Sequence, residues 1–355
     1  LLTSKIMKKT IKEIDFRQMP VVNQHVAGID IGSRFHMVAI ENGIQKVAME
    51  VTGGYESPLV TVLQNCDFEV LVTAGANTKN YRRFKSDTSD AIHIRNLHML
   101  GLLPPIFITD AFSTKIRSLV RMRRSLIEDA ATYIRRIQKS LRNINVRLDA
   151  ALGDTQSKSG MSIVQAICQG EENSEKLAEL CHYSCKKPKT EIAQLLKGNW
   201  NENVRFEIRS SYRIYMKIQE EIALLDKQLD DSFMQFTKNL SSKQKYNPKD
   251  SRSRNAPKID IEKYALKIFG VNLGQIPGMG KDALLNIIAE VGQEIHKFHS
   301  AKAFAKWLGF TPNNKSSAYR TSRIKAVTAT ARKVAVITYN MIVKKEEFEE
   351  NKTQT

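Results

Sequence analysis

From position 26 the chain alternates short apolar runs with turn residues. VAGIDI climbs through Asp30 to Ile31, Gly32-Ser33 turns, and a second apolar run returns to Ile40. This pattern predicts a β-hairpin whose first strand carries a carboxylate at its end. KVAME (46–50) predicts a short third strand that closes on Glu50, and TGGYESP supplies the turn after it. A helix is expected over 59–65, a Val-rich fourth strand over 68–75, and a helix over 85–100 from its three-and-four apolar spacing. Strands alternating with helices over about a hundred residues predict an α/β domain with a mixed sheet.

Beyond Pro104 and Pro105 the period changes. Ile116, Leu119, Leu126, Tyr133, Ile137, Leu141, Ile144 and Leu148 keep helical spacing, as do Ile208, Tyr212, Tyr215, Ile218, Ile222, Leu225, Leu229, Phe233 and Phe236. Two long amphipathic helices are expected, as an antiparallel or an intermolecular coiled-coil pair. A polar, breaker-rich stretch (SSKQKYNPKDSRSRNAP) reads as a linker. The expected domains are 24–110 (α/β), 111–240 (long helices), 241–258 (linker) and 259–345 (small and all-α).

Charge sharpens this picture. In 355 residues, 55 Lys and Arg face 37 Asp and Glu, for a net charge of +18. A polyanionic partner is the leading expectation. Between 115 and 147 ten basic residues stand against Glu128 and Asp129 alone, and 301–345 has ten basic residues and no acid. Arg121, Arg123, Arg124, Arg135 and Arg136 are therefore candidates for phosphate contact, in RNA or DNA alike. No apolar run is long enough for a membrane span, and no apolar segment follows Lys5, Lys8, Lys9 and Lys12, so neither a membrane protein nor a secretory leader is expected. Four cysteines (Cys66, Cys168, Cys181, Cys185) are too few for a disulfide framework and suit a reducing compartment. CHYSC (181–185) falls short of the four ligands that zinc asks for.

Four acids fall where strands end or a helix begins: Asp30, Glu50, Asp87 and Asp90. Asp87 and Asp90 share one helix face, and Asp30 reaches it if its strand is central in the sheet. Singly, each reads as a solvated turn residue or a cap. Together, in a basic protein, they suit Mg²⁺, which prefers hard oxygen ligands and can activate attack at phosphorus. His93 and His98 lie on the same helix, with core or solvent their expected place. Farther on, IPGMG (276–280) before KDALLNIIAEVG looks like a helix-hairpin-helix element, in which Gly278 and Gly280 let backbone N–H groups approach a phosphate.

The stretches GIDIGSRFHMVAI, VAMEVTGGY, FEVLVTAGANTKNYRRFKSDTSDAIHIRNLHMLGLL, IPGMGKDALLNIIAEVG and FHSAKAFAKWLGFTPNNKSSA resemble the DEDD transposases of the bridge-RNA-guided insertion sequences, the family numbered one hundred and ten. The resemblance implies a RuvC-like, RNase H-type first domain whose acids, here Asp30, Glu50, Asp87 and Asp90, bind Mg²⁺. It implies a second domain with a serine nucleophile, matched by Ser317, beside which Lys315, Arg320 and Arg323 could hold phosphate oxygens. It also implies DNA ends and target as substrates, a structured guide RNA, a homo-oligomer joined by the long helices, and a bacterial, nucleoid-associated location. Two departures stand out: only ENGIQ separates Ile40 from Lys46 where the family has a further strand and helix, and Ala318-Tyr319 replace the Gly-Gly after the serine. They define the rival expectations, a decayed copy that only binds nucleic acid and a junction nuclease that uses the acids and water. GIDIGS also resembles the phosphate loop of actin-like ATPases, but no later Asp-x-Gly completes that pattern.

Overall fold

The computed structural model describes residues 19–40, 42–79, 87–106, 110–241, 253–310 and 322–349, except the side chains of 87–89, 111 and 322–325. Its contacts divide into two compact units, 1–108 and 109–355. Among the described residues no helix is long and apolar enough to cross a membrane.

In the first unit, β1 (Val26–Ile31), β2 (His36–Ala39), β3 (Lys46–Glu50) and β4 (Glu69–Thr73) form one sheet in the order β2-β1-β3-β4. β2 pairs antiparallel with β1, while β1, β3 and β4 run parallel. The expected hairpin, third strand and fourth strand are all present, and β1 is interior. Such a mixed sheet with helical cover fits an RNase H-like domain. Side chains alternate between faces. Ala27, Ile29, Ile31, Val47, Met49 and Val72 form one cluster with Val60 of α1 (Glu56–Asn65). Ala48 on the opposite face packs with Ile94, Leu97 and Leu103. A single helical turn, α2 (Gly75–Lys79), follows β4, and α3 (Asp87–Met99) covers the second face. Among the described residues β2 is an edge strand, with Val38 exposed on it and Phe35 and Ile40 exposed beside it.

The second unit is built on α4 (Ala111–Asn143) and α9 (Glu202–Phe236). They run antiparallel within one chain. Phe112 stacks on Phe236 with centroids 3.6 Å apart, Arg123 meets Asp226, and Ser140 donates to Glu207. Between them α5 (Leu148–Leu152), α6 (Lys158–Gln169), α7 (Ser174–Glu179) and α8 (Lys189–Leu196) close a core at one end of the pair. Asn173 and Ser157 cap two of these short helices, each accepting from backbone N–H groups. The remainder comprises α10 (Ile261–Phe269), α11 (Lys281–Val291), α12 (Ala301–Trp307) and α13 (Ser322–Lys344). By contacts it groups with the long helices in the unit 109–355. Arg117 binds the Glu290 carbonyl and carboxylate, and Tyr264 donates to Asp230.

One ion pair ties these parts together. Arg123 Nε lies 2.6 Å from Asp226, its guanidinium also donates to the Asn255 carbonyl, and Asp226 accepts from the Lys258 N–H. Both side chains are only 5% exposed. Removing one partner leaves the other charge buried without its counterion. We expect Arg123→Ala to lower unfolding stability by about 3–5 kcal/mol in urea titration. A paired Arg123→Met/Asp226→Leu variant should recover most of that loss.

Candidate active site

The carboxyl ends of β1 and β3 lie side by side. Parallel pairing aligns Ile29 with Met49, so Asp30 and Glu50 are the next residues of the same row. Ile29 and Met49 point into the α1-side core. By alternation Asp30 and Glu50 belong to the opposite face, with Gly28 and Ala48. That is the face covered by α3.

The helix runs antiparallel to β1. The N–H of Val22 donates to Met99 O, and Asn23 Nδ2 to His98 O, so the helix carboxyl end lies at the start of β1. Its amino end, with Asp87 and Asp90, thus lies toward Asp30. Gly28 permits this approach: a Cβ there would stand 2.3 Å from both Ala91 O and Arg95 N. Any side chain would lift the helix away. Asp90, one residue before Ala91, is 7% exposed.

Glu50 is held by a contact the sequence did not announce. Thr78 of α2 donates its hydroxyl to one Glu50 oxygen. The other oxygen rests against Gly75, where a Cβ would be 3.1 Å away. The Thr78 carbonyl in turn accepts from His93 Nε2 at 3.2 Å, joining α2 to α3. Thr73, paired with Glu50 across the sheet, donates to Pro104 O and accepts from Asn77. Asp30 stands at the mouth of a cavity of about 310 Å³ formed with the turn after β1.

Three of the four expected acids thus share one face at one edge of the sheet. The Asp87 carboxylate lies outside the described side chains. Their donor chemistry suits Mg²⁺, although among the described residues no group of three or more His, Cys, Asp or Glu is close enough to hold a metal ion.

The basic candidates divide. Arg121 and Arg124 are exposed on α4, paired with Glu290 and Glu128, and Arg135 and Arg136 are exposed on the same helix, Arg136 lying 4.9 Å over the Tyr133 ring. Arg123 is a correction: it is buried against Asp226 and is a structural residue, not a surface phosphate contact. A signal was available, since Arg123 lies four after Leu119 and three before Leu126, on the apolar stripe of α4. Gly278 has φ +83° in the turn between α10 and α11, and Gly280 caps α11, with open space beside both. Ser317, Lys315 and Arg320 lie outside the described residues, and Arg323 falls in α13 with its side chain undescribed. Burial pushes the Cys168 and Cys181 thiols up to about 11, which keeps them protonated.

At the opposite end of α3, His98 is buried, and desolvation together with nearby Lys46 lowers its pKa below the usual 6.5. The unfolded chain therefore takes up the proton first. Stability should be insensitive to His98 above about pH 6.5 and fall as pH drops below it. Urea titrations from pH 7.5 to 5 should show this loss in wild type and a smaller one in His98→Gln. Gly28→Val should cost about 1–3 kcal/mol or more, read by the same titration, because α3 cannot move without dismantling that face of the core.

Comparison with known families finds two matches. Residues 41–146 match a transposase family model of the DEDD type from IS110 elements, and residues 271–350 match the transposase model of the IS116/IS110/IS902 family. The two segments together span just over half of the chain. Glu50, Asp87 and Asp90 fall in the first and Ser317 in the second, whereas Asp30 precedes both. No curated protein matches the chain.

Proposed function

We propose a strand-transfer mechanism for this chain, whose two matched segments mark it as a DNA transposase of the IS110 family. The observation that carries the proposal is the shared row of Asp30 and Glu50, with the amino end of α3 over the same face. Asp30, Glu50, Asp87 and Asp90 would hold Mg²⁺, which supplies neutralisation of clustered carboxylates and of charge developing on a phosphodiester.

The chain's own residues do the positioning. Gly28 keeps α3 and its acids on the sheet, while Thr78 fixes the direction of the Glu50 carboxylate. The Ser317 hydroxyl attacks phosphorus, forming a phosphoserine ester and releasing a deoxyribose hydroxyl that carries the proton. Attack on that ester by the hydroxyl of another strand reverses the step, so phosphodiester linkages are conserved. Lys315, Arg320 and Arg323 hold non-bridging oxygens. Arg121, Arg124, Arg135 and Arg136 grip backbone phosphates, and Gly278 and Gly280 offer backbone N–H groups, with affinity that falls as salt rises. A structured RNA selects the DNA, and protomers assemble through the helical unit so that separate subunits serve separate strands.

A second reading follows from the short connection between β2 and β3, which leaves β2 as an open edge. In it the acids no longer load metal and the protein only binds nucleic acid. Element-end DNA incubated with purified protein and RNA transcribed from the same element separates the two. The first reading expects Mg²⁺-dependent cleavage with a covalent protein–DNA adduct, lost in Ser317→Ala and reduced about 100-fold or more in Asp30→Ala and Glu50→Gln. Binding without cleavage in wild type supports the second. Cleavage that survives Ser317→Ala with no adduct in wild type indicates a hydrolytic nuclease instead.

A further inference from the structure

The small helices between α4 and α9 enclose a basic cleft that the proposed strand chemistry does not use. Its volume is about 800 Å³, and Ser157, Lys158, Ser162, Ser184, Lys186 and Lys187 are among its lining residues, with no acid among them. Lys187 is paired with Glu191 one turn along, whereas Lys158 and Lys186 are exposed. His182 is one of the lining residues, and its ring lies against that of Tyr183 with centroids 4.1 Å apart. Tyr183 is 91% exposed. A tyrosine that open gains almost nothing from packing inside its own chain.

The turn that carries the two rings is fixed rather than loose. Ser159 of α6 accepts from the His182 N–H at 3.0 Å, and the Cys185 N–H donates to His182 O. The Ser184 N–H donates to His182 Nδ1 at 3.3 Å, and the Ser184 hydroxyl lies 2.8 Å from the same nitrogen. Cys181, buried in the core, anchors the start of the turn. An exposed aromatic face carried on a hydrogen-bonded turn beside lysines and hydroxyls offers stacking to a base and charge to the phosphate next to it. Unpaired bases are bound in that way, because stacking needs a free π-face and the backbone needs a cationic track.

We infer that the His182–Tyr183 platform and the Lys158/Lys186 cleft form a binding site for an unpaired nucleotide of a single strand, the base stacking on Tyr183 and its phosphate lying over the lysines. A looped-out RNA base and a melted DNA end share this chemistry.

The test is fluorescence anisotropy on the full chain, with 5′-labelled 12-nucleotide single-stranded RNA, single-stranded DNA of the same sequence, and the matching DNA duplex. Tyr183→Ala should weaken single-strand binding about fivefold or more, Tyr183→Phe should bind as wild type, and the duplex should be unaffected. Lys158→Ala/Lys186→Ala should weaken single-strand binding and flatten its salt dependence. A Tyr183→Ala loss confined to the RNA arm or to the DNA arm identifies the source of the strand. Loss of less than threefold in both single-strand arms overturns the inference, as does equal weakening of duplex and single strands. Because Tyr183 is so exposed, circular dichroism of the variant should match wild type, separating a lost contact from a lost fold.

Discussion

Everything in the first unit rests on a contact between two backbones. Gly28, in the middle of β1, lets α3 lie so close to the sheet that a methyl group would collide with Ala91 and Arg95. Close packing of this kind leaves no room for adjustment. It is this contact that brings the amino end of the helix, with Asp87 and Asp90, toward the edge where β1 and β3 end in Asp30 and Glu50. Asp30, Glu50 and Asp90 come from three separate segments, and it is the sheet register and the helix direction that bring those segments to one face. The Thr78 and His93 contacts then restrain Glu50 from the side of α2.

The second unit is organised by a different interaction. Arg123 and Asp226 are charges buried between antiparallel helices, with the Asn255 carbonyl and the Lys258 N–H completing their hydrogen bonds. This pairing sets the register of α4 against α9 and binds the segment before α10 to both. This basic helix also holds Arg117 against Glu290 and keeps Arg121, Arg124, Arg135 and Arg136 outward, so that one face is committed to folding and another is left exposed. Burial and exposure, rather than residue type, decide which arginine does which.

Much of the α/β unit was legible because its strands are bounded by turns and their ends carry acids, as with GIDIGS and KVAME. The long helices were legible from their stripes. The α2 turn was not, since five residues carry no period, and with it Thr78 went unnoticed as the partner of Glu50. The helices between 148 and 196 were also missed: their caps and breakers, such as Asn173, Gly170 and Pro188, interrupt the apolar spacing every few residues. The polar stretch 241–257 reads as a linker between the long helices and the small helical segment after it. The contacts between those two segments, such as Arg117 with Glu290, join residues far apart in sequence and leave no local trace.

The central claim is that the edge formed by β1, β3 and α3 accepts divalent ions. Crystals of the protein soaked in Mn²⁺, measured at the manganese absorption edge, address it directly. An anomalous peak ligated by Asp30 and Glu50 beside the amino end of α3, absent in Asp30→Asn, is the expected result. An edge with no peak, in crystals whose map shows both carboxylates ordered, would contradict it.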